Sequence, residues 1–237
     1  MIKTIFFDVD DTLYDEVHPK IKAEMQTAEY IAAELGRPFL EIYNAFIKAK
    51  NEIVDTSYDP NTNNRAHWYE RMLKSLKITT LDPEKLSEKY WDIMQSSIEP
   101  YHDFKCVAPV LAGKYELYTL TDELHEIQLS KLTKLGLLPY FKGTVSSTNV
   151  GVLKPHPKLF QYAMEVTGST PETSMMVGDN PSKDVKGGKA AGMATAWIQR
   201  GKYSGYDFGK DAPDIKIKNY IRFPGQIEDF VLQREVK

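Results

Sequence analysis

The sequence is poor in the residues that mark several common chemistries. Of 237 residues only Cys106 is a cysteine, so no internal disulfide can form and no thiolate zinc site can be built, which fits a reducing cytosol. As a lone cysteine it reads as a small core residue. The five histidines, His18, His67, His102, His125 and His156, are scattered and none makes an H-E-x-x-H pair, which removes support for a zinc hydrolase. No G-x-x-x-x-G-K-[ST] loop exists, so the phosphate cradle of P-loop enzymes is missing. There is no basic surplus: 30 Lys and Arg stand against 33 Asp and Glu, a net charge of −3. A phosphate backbone is held by an excess of Lys and Arg, so no nucleic-acid partner is expected. Long hydrophobic runs are missing too. The opening MIKTIFFDVDDTLYD turns acidic after one short apolar run, too short for a signal-peptide core or a membrane span. The expectation is a cytoplasmic protein without a membrane partner.

What is present is the balance of a globular protein, 42% hydrophobic and 27% charged, with enough apolar residues for one large domain or a medium domain carrying a smaller one. Ile2 to Phe7 is nearly continuously apolar, branched or aromatic, which reads as a strand buried on both faces, as in a parallel sheet. From about residue 15 to 100 the apolar residues recur at helical spacing instead, in KIKAEMQTAEYIAAEL, FLEIYNAFIKAKNEIV, HWYERMLKSL and PEKLSEKYWDIMQSSI. After Pro100, short apolar runs alternate with amphipathic segments: YELYTLT with HEIQLSKLTKLG, GTVSST with PKLFQYAMEVTG, SMMVGD with SKDVKGGKAAG, then MATAWI. That is repeated βαβ. A weak strand in PDIKI and a helix in QIEDFVLQRE close the pattern, and DTSYDPNTNN and GKYSGYDFGKDAPD read as loops.

The pattern predicts an α/β protein: a doubly wound, Rossmann-like parallel sheet from residues 1–14 and 101–237, with an all-helical cap domain inserted at 15–100. Ligands of such sheets bind outside the carboxyl ends of the strands. The insertion leaves the sheet just after its first strand, beside that edge, and reads as a lid.

The strand ends carry the polar residues. Strand one runs into Asp8, Asp10 and Asp11 in DVDDTL; the next ends in Thr121 and Asp122; Lys154 follows the third; Gly178, Asp179 and Asp184 follow the fourth in GDNPSKD. Clustered carboxylates repel and resist burial, so they require a cation among them or protonation of some of them. Oxygen donors without His or Cys suit Mg²⁺, which keeps positions for water and phosphate. Taken singly, each residue has an ordinary reading: Asp8 a turn cap, Thr121 a strand threonine, Lys154 a solvated amine, Asp184 a favourable charge at a helix start. Asp11 reads as a cap of the turn. Gly187, Gly188 and Gly192 read as close helix–sheet packing.

In this order the set resembles the haloacid dehalogenase superfamily, specifically members with a helical cap inserted after the first motif. DVDDTL resembles motif one, Thr121 motif two, Lys154 in VLKPHP motif three, and Asp179 with Asp184 in VGDNPSKD motif four. The stretch from Thr121 through Gln128 and Lys131 to Leu137 is also similar to the segment after motif two. The resemblance implies a phosphatase acting on a small phosphorylated metabolite through an aspartyl-phosphate. Asp8 is then the nucleophile and Asp10 the general acid and base. Mg²⁺ is held by the Asp8 carboxylate, the Asp10 main-chain carbonyl and Asp179. Thr121 and Lys154 bind the phosphoryl group, and Asp184 orients Lys154 or a metal-bound water. Asp122 stands where close relatives often carry Asn, so its backbone N–H rather than its carboxylate is expected to meet phosphate.

In the helical segment His67 and Arg71, at i and i+4, share a helix face, with Trp68, Tyr58 and Asn64 nearby; Trp68 as core and Arg71 as a solvated charge is the competing reading. His18, at the entry to the insertion, is placed to meet substrate or to lie on the surface. A phosphoglucomutase-type phosphotransferase needs the same acid–base group as a phosphatase. A 2-haloacid dehalogenase needs neither Asp10 nor a metal carboxylate. A phospho-accepting signalling receiver would carry its aspartate on a later strand, and a non-catalytic interaction module would not need the full set.

Overall fold

The computed structural model of the chain describes residues 1–54 and 59–235, in two compact units: Met1–Asp15 together with the chain from Glu99 on, and Glu16–Ile98.

The first unit is built on six parallel strands, β1 (Thr4–Phe7), β2 (Glu116–Thr121), β3 (Gly143–Ser146), β4 (Ser174–Gly178), β5 (Ala194–Ile198) and β6 (Ile215–Ile217), in the order β3-β2-β1-β4-β5-β6. The order reverses on either side of β1, which makes the ends of β1, β2 and β4 the crevice of a doubly wound sheet. The register brings those ends level: Phe7 lies opposite Thr119 of β2 and Val177 of β4.

Alternation along β1 supplies both faces of the core. Phe6 packs with Leu120, Val145 and Met176, and with Leu159 and Phe160 of helix α7 (Pro157–Thr167). Phe7, its neighbour, meets Phe104 and Phe223 edge-on at 5.3 and 6.4 Å. Those rings belong to α5 (His102–Lys114) and α9 (Phe223–Glu235). Each buried ring contributes about 1.5–3 kcal/mol, and helices thus cover both sides of one strand.

The remaining helices of this unit are α6 (His125–Lys134) and the short α8 (Lys186–Ala190). A Cβ on Gly187 would lie 2.4 Å from the Phe160 ring and one on Gly188 2.9 Å from Met176 Cβ, so α8 rests on its neighbours through bare backbone. SKDVKGGKAAG, expected as one helix, instead opens with a widened, π-type turn at Pro181–Val185. The Asn180 carbonyl accepts from both Asp184 N–H and Val185 N–H, at 2.9 and 3.4 Å, and its side chain accepts from Ser182 N–H and Lys183 N–H.

Cys106 corrects the expectation of a core residue: it is exposed. The buried stripe of α5 is Phe104, Val107, Ala108 and Leu111, and Cys106, two positions after Phe104, falls off that face.

The second unit holds α1 (Val17–Leu35), α2 (Phe39–Val54), α3 (Arg65–Ser75) and α4 (Pro83–Gln95), with no strand among its described residues. Gly36 ends α1 in the left-handed region at φ 60°, while Asn64 and Asp82 cap α3 and α4 through their side chains. Arg65 is 3% exposed. Its guanidinium lies 4.5 Å from the ring centres of both Trp68 and Trp91, a cation–π contact that replaces part of the lost hydration. Among the described residues no helix is long and apolar enough to cross a membrane.

Candidate active site

Asp8 is the first residue beyond β1, and its N–H still continues the ladder to the Val177 carbonyl at 2.8 Å. Its carboxylate Oδ1 lies 2.7 Å from Lys154 Nζ, and Thr12 Oγ1 is 3.4 Å from Oδ2. Lys154 is only 3% exposed. Its ammonium donates to Asp8 Oδ1 at 2.7 Å, Asp184 Oδ1 at 2.7 Å and the Leu120 carbonyl at 3.0 Å, one acceptor for each proton. Burial pulls Lys154 down, but Asp184, Asp8 and Asp122 outweigh it and hold the amine above the usual lysine value, fully charged.

Asp184 is buried in the π-type turn, where its other oxygen accepts Asn180 N–H at 3.0 Å. Asp179 follows β4; its N–H donates to Thr12 Oγ1 at 3.1 Å and its carbonyl accepts Trp197 Nε1–H at 2.7 Å. The backbone of Asp179 is therefore pinned at both ends. Carboxylate oxygens of Asp8, Asp179 and Asp184 all lie within 4.8 Å of one another. Burial, only partly opposed by Lys154 and reinforced by Asp184 and Asp10, pushes Asp8 up to about 8. Burial together with Asp184, Asp8 and Asp11 pushes Asp179 up to about 9. One lysine does not balance three buried carboxylates, and a hard divalent cation among these oxygens fits the donor set and the excess charge.

Thr121 is buried, and its Oγ1 accepts Glu123 N–H at 3.1 Å, which leaves the hydroxyl proton as its donor. Ser146 and Ser147, at the end of β3, hold this turn by donating to the carbonyls of Glu123 and Asp122 at 2.6 and 3.0 Å. The Asp122 carboxylate accepts Lys154 N–H at 2.8 Å through Oδ1 and pairs with Lys183 Nζ at 2.7 Å through Oδ2. The carboxylate of Asp122 is thus paired with a cation.

Asp10 does not join the three-carboxylate group. Its Oδ1 takes Lys131 Nζ at 2.7 Å and also the Tyr14 hydroxyl. Asp11 adopts φ 58°, a left-handed turn position that aspartate tolerates better than most residues.

Asp8, Thr121, Asp122, Lys154, Asp179 and Asp184 thus meet at one sheet edge. His18 and His67 are exposed, on α1 and α3 of the helical unit. Arg71, also on α3, pairs with Glu52 of α2 at 2.8 Å. Trp68 is core, donating Nε1–H to the Thr62 carbonyl at 2.6 Å, and Asn64 caps α3. Tyr58 lies outside the described residues.

Sequence reasoning gave no roles to Thr12, Tyr14, Glu123, Lys131 and Lys183. One signal was there. The buried face of α6 reads Gln128, Lys131, Leu132, and a lysine at an apolar stripe position demands a partner.

A model of the haloacid dehalogenase-like hydrolases matches residues 2–192. The glyceraldehyde 3-phosphate phosphatase of Methanocaldococcus jannaschii is 31% identical over 225 residues, 93% of this chain and 92% of that protein. The crystal structure of a HAD phosphatase from Thermococcus onnurineus is similar with a TM-score of 0.72 and 27% identity, over 96% of this chain and 98% of that one. A 2-haloacid dehalogenase from Pseudomonas syringae shares the fold at a TM-score of 0.76 and 22% identity, over 97% and 100% of the two chains.

Proposed function

Because this chain belongs to the haloacid dehalogenase-like hydrolases, we propose that its phosphatase chemistry is directed at a small phosphorylated metabolite and runs through an aspartyl-phosphate on Asp8. The observation that carries this reading is the ammonium of Lys154, buried and shared at 2.7 Å between Asp8 and Asp184. This supports Asp8 as the nucleophile, because a positive charge beside it favours the approach of a phosphoryl group.

In this reading Asp8 attacks phosphorus and the ester oxygen leaves, which divides hydrolysis into two easier displacements. Asp10 gives a proton to the departing alkoxide, then takes one from the water that cleaves the acyl phosphate. The Thr121 hydroxyl donates to a phosphoryl oxygen. Asp184 holds Lys154 in place. The Asp8 and Asp179 carboxylates and the Asp10 main-chain carbonyl would hold Mg²⁺, which when bound offsets the charge of carboxylates and phosphate together. The helical unit Glu16–Ile98 would act as the cap that sets substrate choice, with His18, His67 and Arg71 as its candidate contacts, in a cytoplasmic setting.

Asp10 separates this reading from dehalogenation, which has no alkoxide to protonate. A phosphate-release screen over short sugar, acid and nucleoside monophosphates, with Mg²⁺ and with EDTA, tests the proposal. Release with Mg²⁺ and none with EDTA is expected. Isomerisation of a sugar phosphate without release would assign a phosphotransferase instead, and halide release from 2-haloacids a dehalogenase.

A further inference from the structure

Lys131 is 0% exposed, and it sits on α6, a helix whose other buried residues are Gln128 and Leu132. Burying an ammonium is costly unless it is paired and hydrogen-bonded. The partners here are Asp10 Oδ1 at 2.7 Å and Glu123 Oε2 at 3.7 Å. The amine therefore lies in hydrogen-bond contact with the Asp10 carboxylate and a full ångström farther from the more deeply buried Glu123. Were Lys131 present only to neutralise Glu123, the short contact would fall on Glu123.

A second donor converges on the same atom. Tyr14, fully buried, gives its hydroxyl to Asp10 Oδ1, and its ring lies 5.9 Å from Lys131 Nζ. Asp10 and Tyr14 are also joined through a backbone bridge. One carboxylate oxygen is thus gripped from two directions, by α6 and by the loop after β1. Donors on separate elements restrict both side-chain torsions of an aspartate that retains 21% exposure of its own.

We infer that Lys131 is a positioning residue for the reaction: with Tyr14 it holds the Asp10 carboxylate in the orientation needed for proton transfer to the leaving group and from water. The inference rests on the reading of Asp10 as the acid–base group. A 1 Å misplacement of such a group is enough to slow a reaction by about 100-fold, so a positioning lysine is worth measurable rate without touching substrate.

The experiment compares wild type, Lys131→Met, Asp10→Asn and the double variant on two esters. One is the alkyl phosphate turned over best in the screen; the other is p-nitrophenyl phosphate, whose leaving group departs without a proton. The readout is kcat/KM, which reports the step that expels the leaving group and not the later attack of water on the aspartyl-phosphate, a step common to both esters. Lys131→Met should lower kcat/KM on the alkyl ester by about 10–100-fold, the range typical of outer-layer partners of a site. On the nitrophenyl ester kcat/KM should fall by no more than about threefold, because general acid catalysis contributes little there. In the Asp10→Asn background Lys131→Met should add nothing, since the group it positions has already lost its proton chemistry. Equal losses in kcat/KM on both esters, or losses that multiply with those of Asp10→Asn, would overturn the inference and make Lys131 a packing residue. If Lys131→Met gives no cooperative melt, Lys131→Gln, which keeps an N–H donor, and Tyr14→Phe, which removes only the hydroxyl, are read by the same criteria. An Asp10→Asn variant that lowers kcat/KM equally on both esters removes the acid–base reading itself. A leaving-group-dependent Asp10→Asn beside a flat Lys131 series removes only the role of Lys131.

Discussion

The Asp184 carboxylate occupies the space that a side chain on Gly178 would fill. A Cβ built on Gly178 would lie 2.2 Å from Asp184 Oδ2 and 2.3 Å from its carboxyl carbon. The last residue of β4 therefore has no side chain because another residue's functional group lies there, and that carboxylate is the one that anchors Lys154 at 2.7 Å.

Gly178→Ala should accordingly act through Lys154. The methyl group forces Asp184 to move, and the buried ammonium loses one of its three acceptors. The expected loss in kcat is about 10–100-fold, the range seen when a partner of a primary ligand is disturbed, with cooperative melting retained. Wild-type turnover in this variant would show that Asp184 can move without disturbing Lys154.

Asp8→Asn should abolish turnover and remove any phosphoryl group trapped on the protein, because an amide does not attack phosphorus here. Mass spectrometry of acid-quenched enzyme reads the result. A phosphorylated peptide that does not contain Asp8 moves the nucleophile elsewhere.

The carboxylate cluster also sets the pH response of the metal-free chain. Asp8 and Asp179, pushed to about 8 and about 9 by burial and by their acidic neighbours, sit above the ~4 of an unfolded aspartate. Folding therefore takes up protons. The contribution of the protonated pair is complete below about pH 4 and is lost as pH rises through about 8 to 9. In EDTA the melting temperature should fall between about pH 6 and pH 9, and Asp179→Asn should flatten that fall. Mg²⁺ should raise the melting temperature more at the alkaline end, where it competes with fewer protons. An EDTA profile that rises across this window, or one unaffected by Asp179→Asn, contradicts the account.

Lys183 and Asp122 form a removable pair. The Lys183 side chain is 44% exposed, so the bridge contributes less than about 1 kcal/mol to stability. Its charge matters more to an anionic substrate. Lys183→Met removes the ammonium paired with the Asp122 carboxylate and should raise KM for a phosphate ester several-fold, with kcat less affected. Adding Asp122→Asn should restore most of the loss. A double variant no better than Lys183→Met would mean that Lys183 meets the substrate itself.

How much of this could be read in the sequence divides along a physical line. Strands such as Ile2 to Phe7 were legible because burial on both faces leaves an unbroken apolar run, and Asp8 was legible because such a run stops at a charge. The helical insertion was legible from its 3.6-residue spacing. Lys131 was not, because its partner Asp10 is 121 residues away in sequence, and no local pattern couples them. The charge on Asp122 stood out, but the Lys183 that balances it is 61 residues on. The widened turn at Pro181–Val185 depends on two N–H groups sharing the Asn180 carbonyl, which periodicity does not encode. Cys106 was misjudged from the average habit of cysteine, while the stripe of its own helix, read from Phe104 at intervals of three and four, places it outside.

The central place of β1 bears on how the protein is made. Its two edges pair with β2, beginning at Glu116, and with β4, beginning at Ser174. During synthesis at about 5–20 residues per second, the second edge waits roughly ten to thirty seconds for its partner to be polymerised. Throughout that interval the most apolar strand of the chain, with Asp8 at its tip, is an open β-edge on the ribosome. Asp179 and Asp184, whose carboxylate oxygens lie within 4.8 Å of that of Asp8, are added later still. The helical unit ends at Ile98, so it is complete before even the first of those edges can be covered. A nascent chain stalled before Ser174 would carry a finished helical unit and an unpaired strand, a species exposed to aggregation and lacking two of the three clustered carboxylates.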